Sequence, residues 1–129
     1  MQRGKKKNMN IILSNESELP IYRQIFDQIQ EQILSGAIPE GEVLPSIRKL
    51  AKELGISVIT TTRAYNELES EGYIVSRQGK GSIVLGKNNS VVREQYQKRM
   101  EEAFEVMKVN AKYLEMSEEE IIRYVEEHL

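Results

Sequence analysis

Apolar residues recur at helical spacing in five stretches of this chain and alternate in one. Tyr22, Ile25, Phe26, Ile29, Ile33 and Leu34 fall three and four apart, which predicts an amphipathic helix from Pro20 to about Ser35, stopped by Gly36. Its predicted polar face is Arg23, Gln24, Asp27, Gln28, Gln30 and Glu31. Asn10 to Leu13 reads as a short extended piece before it. Residues 37–45 hold two of the three prolines and read as a turn rather than an element. A short helix comes next, capped by Ser46, with Ile47, Leu50, Ala51 and Leu54 inward and Gly55 at its end. Ser57 is the natural cap of a third helix to about Ser70, in which Thr61, Ala64, Tyr65 and Leu68 share one face. The opposite face then presents Ile59, Thr62, Arg63 and Asn66, with Val58 and Thr60 at its rim.

Gly72 closes that helix, and the pattern changes period. Tyr73 to Arg77 alternates as a strand, Gln78-Gly79-Lys80-Gly81 turns, and Ser82 to Leu85 returns, giving a two-stranded hairpin. Residues 87–90 are a polar linker, with Ser90 placed to cap the fourth helix. From Val91 to about Glu115, Val92, Tyr96, Met100, Ala103, Phe104, Met107, Ala111 and Leu114 form one apolar side of that long helix. Met116-Ser117-Glu-Glu-Glu120 is a capping box, and a last helix turns Ile121, Ile122, Val125 and Leu129 inward. Two such helices cannot bury both stripes alone. A second copy of the chain is the expected cover, which makes these stripes the candidate dimerisation residues.

The expected fold is mainly α with a small β-hairpin: a winged helix-turn-helix over residues 10–86, a linker over 87–90 and a two-helix dimerisation region over 91–129. A basic arm, residues 1–9, precedes them. With 129 residues, two large domains are excluded. No apolar run approaches the roughly 20 residues of a membrane helix, and no cleavable leader follows the basic start. Cysteine is absent and the one histidine, His128, sits among glutamates at the end. That removes thiolate metal sites, disulfides and a Ser/His/Asp triad, so neither an enzyme nor a metal or other cofactor is expected, and a reducing cytoplasm suits the chain.

The net charge of −2 speaks at first against a nucleic-acid partner. It hides an asymmetry. Residues 1–89 carry 12 Lys/Arg and 10 Asp/Glu, a balance of +2, whereas residues 90–129 carry 6 and 10, a balance of −4.

Two helices joined by Gly55-Ile-Ser57 and followed by a glycine-turned hairpin make a winged helix-turn-helix, whose second helix enters the major groove of DNA. Ser57 and Thr60 can bond phosphates beside the free N–H groups of the helix start. Arg63 suits guanine and Asn66 adenine, while Val58, Ile59 and the Thr62 methyl suit thymine methyls. Thr62 and Arg63 rank first as base readers. Tyr22, Tyr65 and Tyr73 are expected in the core rather than as stacking platforms. Lys49 and Lys52 fit a solvated face as well as they fit a phosphate. Met100, Phe104 and Met107 read as interface, with a small-molecule effector pocket as the alternative.

Leu44-Pro-Ser-Ile-Arg48-Lys-Leu-Ala51-Lys-Glu-Leu54-Gly55-Ile-Ser57, then Ala64-Tyr65-Asn-Glu-Leu68-Glu-Ser-Glu71-Gly72-Tyr-Ile, then Gly79-Lys-Gly81-Ser resemble the DNA-binding domain of the GntR family over residues 20–86. The resemblance implies DNA contacts from Arg48, with Ser46 beside it in the candidate set, and from Ser57, Thr60 and Thr62. It implies a wing at Gly79, Lys80 and Gly81, with Lys80 set for the minor groove or a phosphate. One departure stands out: many members carry Arg after the capping serine, where this chain has Val58. The short tail resembles the small YtrA-type branch, which implies a homodimeric repressor of a transporter operon, bound to a palindromic operator. The competing reading is a winged-helix protein–protein module without DNA binding, suggested by the acidic overall charge. No Asp or Glu lies between Ser57 and Asn66, which favours DNA.

Overall fold

The computed structural model describes residues 9–129, so the expected basic arm lies outside the described residues apart from Met9. Five helices and one hairpin succeed one another in the order α1 (Ile21–Ser35), α2 (Ile47–Leu54), α3 (Val58–Ser70), β1 (Ile74–Arg77), β2 (Gly81–Val84), α4 (Ser90–Tyr113) and α5 (Glu118–His128). They form two compact units, the first ending at Arg93 and the second running from Glu94 to Leu129.

The core of the first unit is the one its periodicity predicts. Ile25, Phe26 and Ile29 of α1 and Ala64 and Leu68 of α3 are wholly buried, and Leu50, Ala51, Tyr65, Tyr73, Ile74 and Val84 nearly so. Each large apolar side chain so buried contributes about 1.5–3 kcal/mol relative to exposure. Phe26 and Tyr73 meet edge to face, their ring centroids 6.2 Å apart. The Tyr73 hydroxyl accepts a 2.8 Å bond from Gln30 Nε2, so the ring is buried while its polar tip is paired. Thr61 is the buried hydroxyl of α3, and it donates to the Ser57 carbonyl at 3.1 Å.

Helix ends follow local chemistry. Ser46 and Ser57 accept the backbone N–H of Lys49 and Thr60, and Ser117 and Glu120 complete a reciprocal capping box. At the other end, α2, α3 and α4 close alike. The N–H groups of Ile56, Tyr73 and Met116 reach back to the carbonyls of Ala51, Leu68 and Ala111, a Schellman closure whose penultimate residue is left-handed. That residue is Gly55 in α2 and Gly72 in α3. In α4 it is Glu115, at φ 57°. Gly72 is doubly constrained, because a Cβ there would stand 2.5 Å from Val91 Cγ1.

Three expectations change. Gln24, placed on the polar face of α1, is buried, and with Gln28 and Gln32 it forms a ladder to the extended segment before α1. Gln24 Oε1 accepts from Ser14 N–H and its Nε2 donates to the carbonyls of Ser14 and Leu19, all at 2.9 Å. Gln28 pairs both ways with Ile12 at 2.8 and 2.9 Å, and Gln32 with Asn10 at 3.1 and 3.4 Å. Four helical residues rise about 6 Å and two extended residues about 6.6 Å, so a glutamine at every fourth helix position meets every second residue of the extended segment.

The loop before α2 is also more than a turn. Val43 bridges to Ile83, Val84 N–H bonds the Glu42 carbonyl, and Leu44 N–H bonds the Ser82 carbonyl, adding a third edge to the hairpin. Finally, α4 is capped by Asn89 rather than Ser90. Asn89 Oδ1 accepts from the N–H groups of Val91 and Val92, while its Nδ2 donates to the carbonyls of Gly72 and Gly86. One side chain thus starts α4 and ties it to the end of α3 and of the hairpin.

Candidate nucleic-acid interface

Helix α3 turns Thr61, Ala64, Tyr65 and Leu68 inward, so its remaining residues face out. Ile59 is 82% exposed and Val58 44%, although both are apolar, whereas Thr60 and Thr62 are half-buried and Asn66 is exposed. Exposed aliphatic groups at the start of a helix are wasted in water and useful against thymine methyls. The Ser57 hydroxyl donates to Thr60 Oγ1 at 2.9 Å while accepting the Thr60 N–H. The cap therefore engages the Ser57 hydroxyl as donor and acceptor and the Thr60 hydroxyl as acceptor.

Helix α2 is held against α3 by Tyr65, whose hydroxyl donates a 2.7 Å bond to the Pro45 carbonyl, one residue before the Ser46 cap. Burial, reinforced by the Glu53 carboxylate, pushes this phenol well above the ordinary tyrosine range, so it remains a donor. Ser46, Arg48 and Lys49 are exposed at the start of α2, with Lys52 exposed further along.

The wing is a three-residue turn. Lys80 N–H closes it on the Arg77 carbonyl at 2.9 Å, Arg77 pairs with Gly81, and Gly79 adopts φ 78°, where a side chain would be strained. Gly79, Lys80 and Gly81 are all exposed. The wing is also anchored to the recognition helix: Glu69 accepts both the N–H and the hydroxyl of Ser76, each at 3.1 Å.

Arg63 is exposed but not idle. Its guanidinium carbon lies 3.7 Å from the centroid of the Tyr22 ring, and its Nε is 3.8 Å from a Glu67 carboxylate oxygen. Glu67 also faces Arg23 at 3.7 Å, and Arg23 pairs with Asp27 at 3.1 Å. Tyr65 and Tyr73 are buried as expected. Tyr22 is half-buried and does serve as a stacking platform, so its assignment to the core alone is corrected. Glu67 and Glu69 escaped the sequence reading, because acidic residues on an exposed helical face look like solvation.

In the second unit, the stripe expected to mediate pairing is largely open. Met100 is 75% exposed, Leu114 72%, Ile122 57% and Phe104 52%; Ala103 is exposed, and Tyr96, Met107, Ile121 and Val125 are half-buried. Val92, at the α4 start that belongs to the first unit, is buried within its own chain. Val106, Val109 and Tyr113 form a second exposed apolar row on α4 that the single-stripe reading missed. Among the described residues no helix is long and apolar enough to cross a membrane.

Residues 21–84 match the family described as bacterial regulatory proteins, gntR family. The HTH-type transcriptional repressor YtrA of Bacillus subtilis is 30% identical over 91% of this chain and 90% of its own length. Among solved structures, YtrA from Sulfolobus acidocaldarius, a GntR-family transcription factor, superposes with a TM-score of 0.60 at 35% identity, covering 91% of this chain and 94% of that one. The DNA-binding domain of AraR, solved in complex with operator ORR3, matches with a TM-score of 0.50 at 33% identity over 57% of this chain and 88% of its own. A whole-length relative and a shared winged helix agree with the motifs at residues 44–82. This chain belongs to the GntR family, in its YtrA-like branch, and is a DNA-binding transcriptional regulator rather than an enzyme.

Proposed function

We propose that the chain is a homodimeric repressor that reads a palindromic operator with paired α3 helices and, as the resemblance implies, controls a transporter operon. The observation that carries the dimer is the exposed apolar surface of α4 and α5. Monomeric proteins rarely leave contiguous apolar patches of this kind open, and a second copy supplies a cover of the same character. Both α4 rows, with Ile121, Ile122 and Val125 of α5, would then meet their counterparts. Repression is the activity in the name of the Bacillus relative. The proposed DNA contacts are Ser46, Arg48, Ser57, Val58, Ile59, Thr60, Thr62, Arg63, Asn66, Gly79, Lys80 and Gly81. A cytoplasmic location fits this role.

Selection of duplexes from a randomised library, followed by footprinting and light scattering, tests the proposal. It predicts a particle of twice the 14.9 kDa chain mass and two inverted half-sites about one helical turn apart. A monomer at micromolar concentration, or a selected site without symmetry, overturns it. An effector in the apolar groove of about 580 Å³ lined by Phe104, Met107, Ile121, Ile122 and Val125 is the second reading. It is favoured instead if the chain is monomeric and a small apolar ligand changes its DNA affinity.

A further inference from the structure

The geometry points to Tyr22, a residue of α1, as a specificity-determining positioning residue that pre-orients the Arg63 guanidinium for a base edge. The inference rests on Arg63 being a reader, as proposed above. Arginine recognises guanine through the fork of its two terminal nitrogens, and holding that long side chain in one plane costs conformational entropy. Here much of the ordering is done before DNA arrives. The guanidinium carbon lies over the Tyr22 ring, 3.7 Å from its centroid, and the Nε is 3.8 Å from a Glu67 carboxylate oxygen. The face and the inner nitrogen are engaged, while neither terminal nitrogen has a hydrogen-bond or ion-pair partner among the described residues. That leaves the two terminal nitrogens, the prongs that fit guanine O6 and N7, for a base edge.

The surroundings support a clamp rather than a chance contact. Glu67 is itself held between Arg23 and Arg63, and Arg23 is fixed by Asp27 and lies 4.5 Å from the Phe26 ring centroid. Phe26 is wholly buried. The chain of contacts runs from the core of α1 to the exposed side chain of α3, so a rigid element supports a flexible one. Tyr22 thereby influences which sequence is preferred without touching a base.

The test compares affinity for the library-selected duplex with that for a shuffled duplex, and repeats the measurement with 7-deazaguanine, which lacks the N7 acceptor, at each guanine in turn. Tyr22→Phe keeps the ring and should bind like the parent. Tyr22→Leu should weaken binding to the selected duplex by about two- to five-fold, the range of an exposed cation–π contact, and leave the shuffled duplex unchanged. In an Arg63→Ala background the same substitution should change nothing, and the parent's penalty for 7-deazaguanine at the contacted position should disappear. Glu67→Gln, which loosens the second hold, should lower the ratio of selected to shuffled binding in the same direction; this variant serves if Tyr22→Leu fails to fold.

Equal losses on both duplexes for Tyr22→Leu, or the same loss with Arg63 absent, overturn the positioning role. If Arg63→Ala is selective and Tyr22→Leu and Glu67→Gln are silent, the reader stands and the clamp falls. If Arg63→Ala loses nothing selectively, the reader assignment itself fails.

Discussion

Glu69 and Ser76 join the recognition helix to the wing through two 3.1 Å bonds, one to the backbone and one to the hydroxyl of the same residue. The wing is a two-stranded ribbon, and such a ribbon holds its angle only through packing and contacts of this kind. Glu69→Ala should therefore speed amide exchange at Ser76 and weaken DNA binding several-fold, while costing only about 0.5–1.5 kcal/mol of stability. Hydrogen exchange measured beside DNA titrations checks this. Unchanged exchange at Ser76 would remove Glu69 from the wing's support.

Gly72→Ala should be among the most damaging single-methyl changes available. The new Cβ would meet Val91 at 2.5 Å, and φ 90° is a strained backbone for any L side chain. Strain alone costs about 1–3 kcal/mol, and the clash adds to it. Denaturant unfolding reads the sum. A cost under about 1 kcal/mol would mean that the start of α4 yields easily.

Glu115→Gly should do the reverse. Glu115 occupies in α4 the left-handed closing position that Gly55 occupies in α2, and it adds a negative charge at a helix C-terminus. Relieving both should stabilise the chain by about 0.5–1.5 kcal/mol, visible as a raised thermal midpoint. A lowered midpoint would show that the Glu115 side chain makes a contribution of its own.

Tyr65→Phe deprives the Pro45 carbonyl of its donor and should cost about 1–3 kcal/mol. The pH dependence carries a sign. Burial raises this phenol in the folded state above its unfolded value of about 10, so the native chain holds a proton that the unfolded chain releases. The stabilisation is full below pH about 10 and declines as pH rises beyond it. Tyr65→Phe should flatten that decline in alkaline unfolding curves, and an equally steep curve would show that another group controls it.

The glutamine ladder should be graded. Gln24→Ala removes three bonds from a buried site, whereas Gln32→Ala removes two long bonds from an exposed one. Limited proteolysis within residues 10–19 should accelerate far more for the first change than for the second. Equal acceleration would mean that the segment is held by something other than these amides.

What the sequence made legible was local or periodic. Serines at positions 46, 57 and 117 are legible as caps because each opens a helical pattern, Ser117 with Glu120 as a capping box, and the bond each makes spans three residues. The buried stripes of α1, α2 and α3 follow from a period alone. The partners that stayed hidden are distant along the chain. Gln24, Gln28 and Gln32 look like a wetted face until the segment ten to twenty-two residues earlier lies against them. Arg63 looks free until the crossing of α1 and α3 puts Tyr22 beneath it. Asn89 and Ser90 are both good caps, and the choice between them depends on the carbonyls of Gly72 and Gly86, which only the folded hairpin brings near. The roles of the exposed α3 residues rest on chemistry and family, because a DNA contact is completed by a molecule the chain does not encode.

The ladder along α1 works as a vernier, two scales of nearly equal division laid side by side. Each rung puts helix and strand about 0.6 Å further out of step. The bonds absorb the first step and lengthen at the second: 2.9 Å at Gln24, 2.8 and 2.9 Å at Gln28, then 3.1 and 3.4 Å at Gln32. A fourth rung would be about 1.8 Å adrift of the first, more than a hydrogen bond can absorb. The helix sets the same limit from its own side: the next positions at this spacing are Pro20 and Gly36, which bound α1, so three glutamines fill the length available.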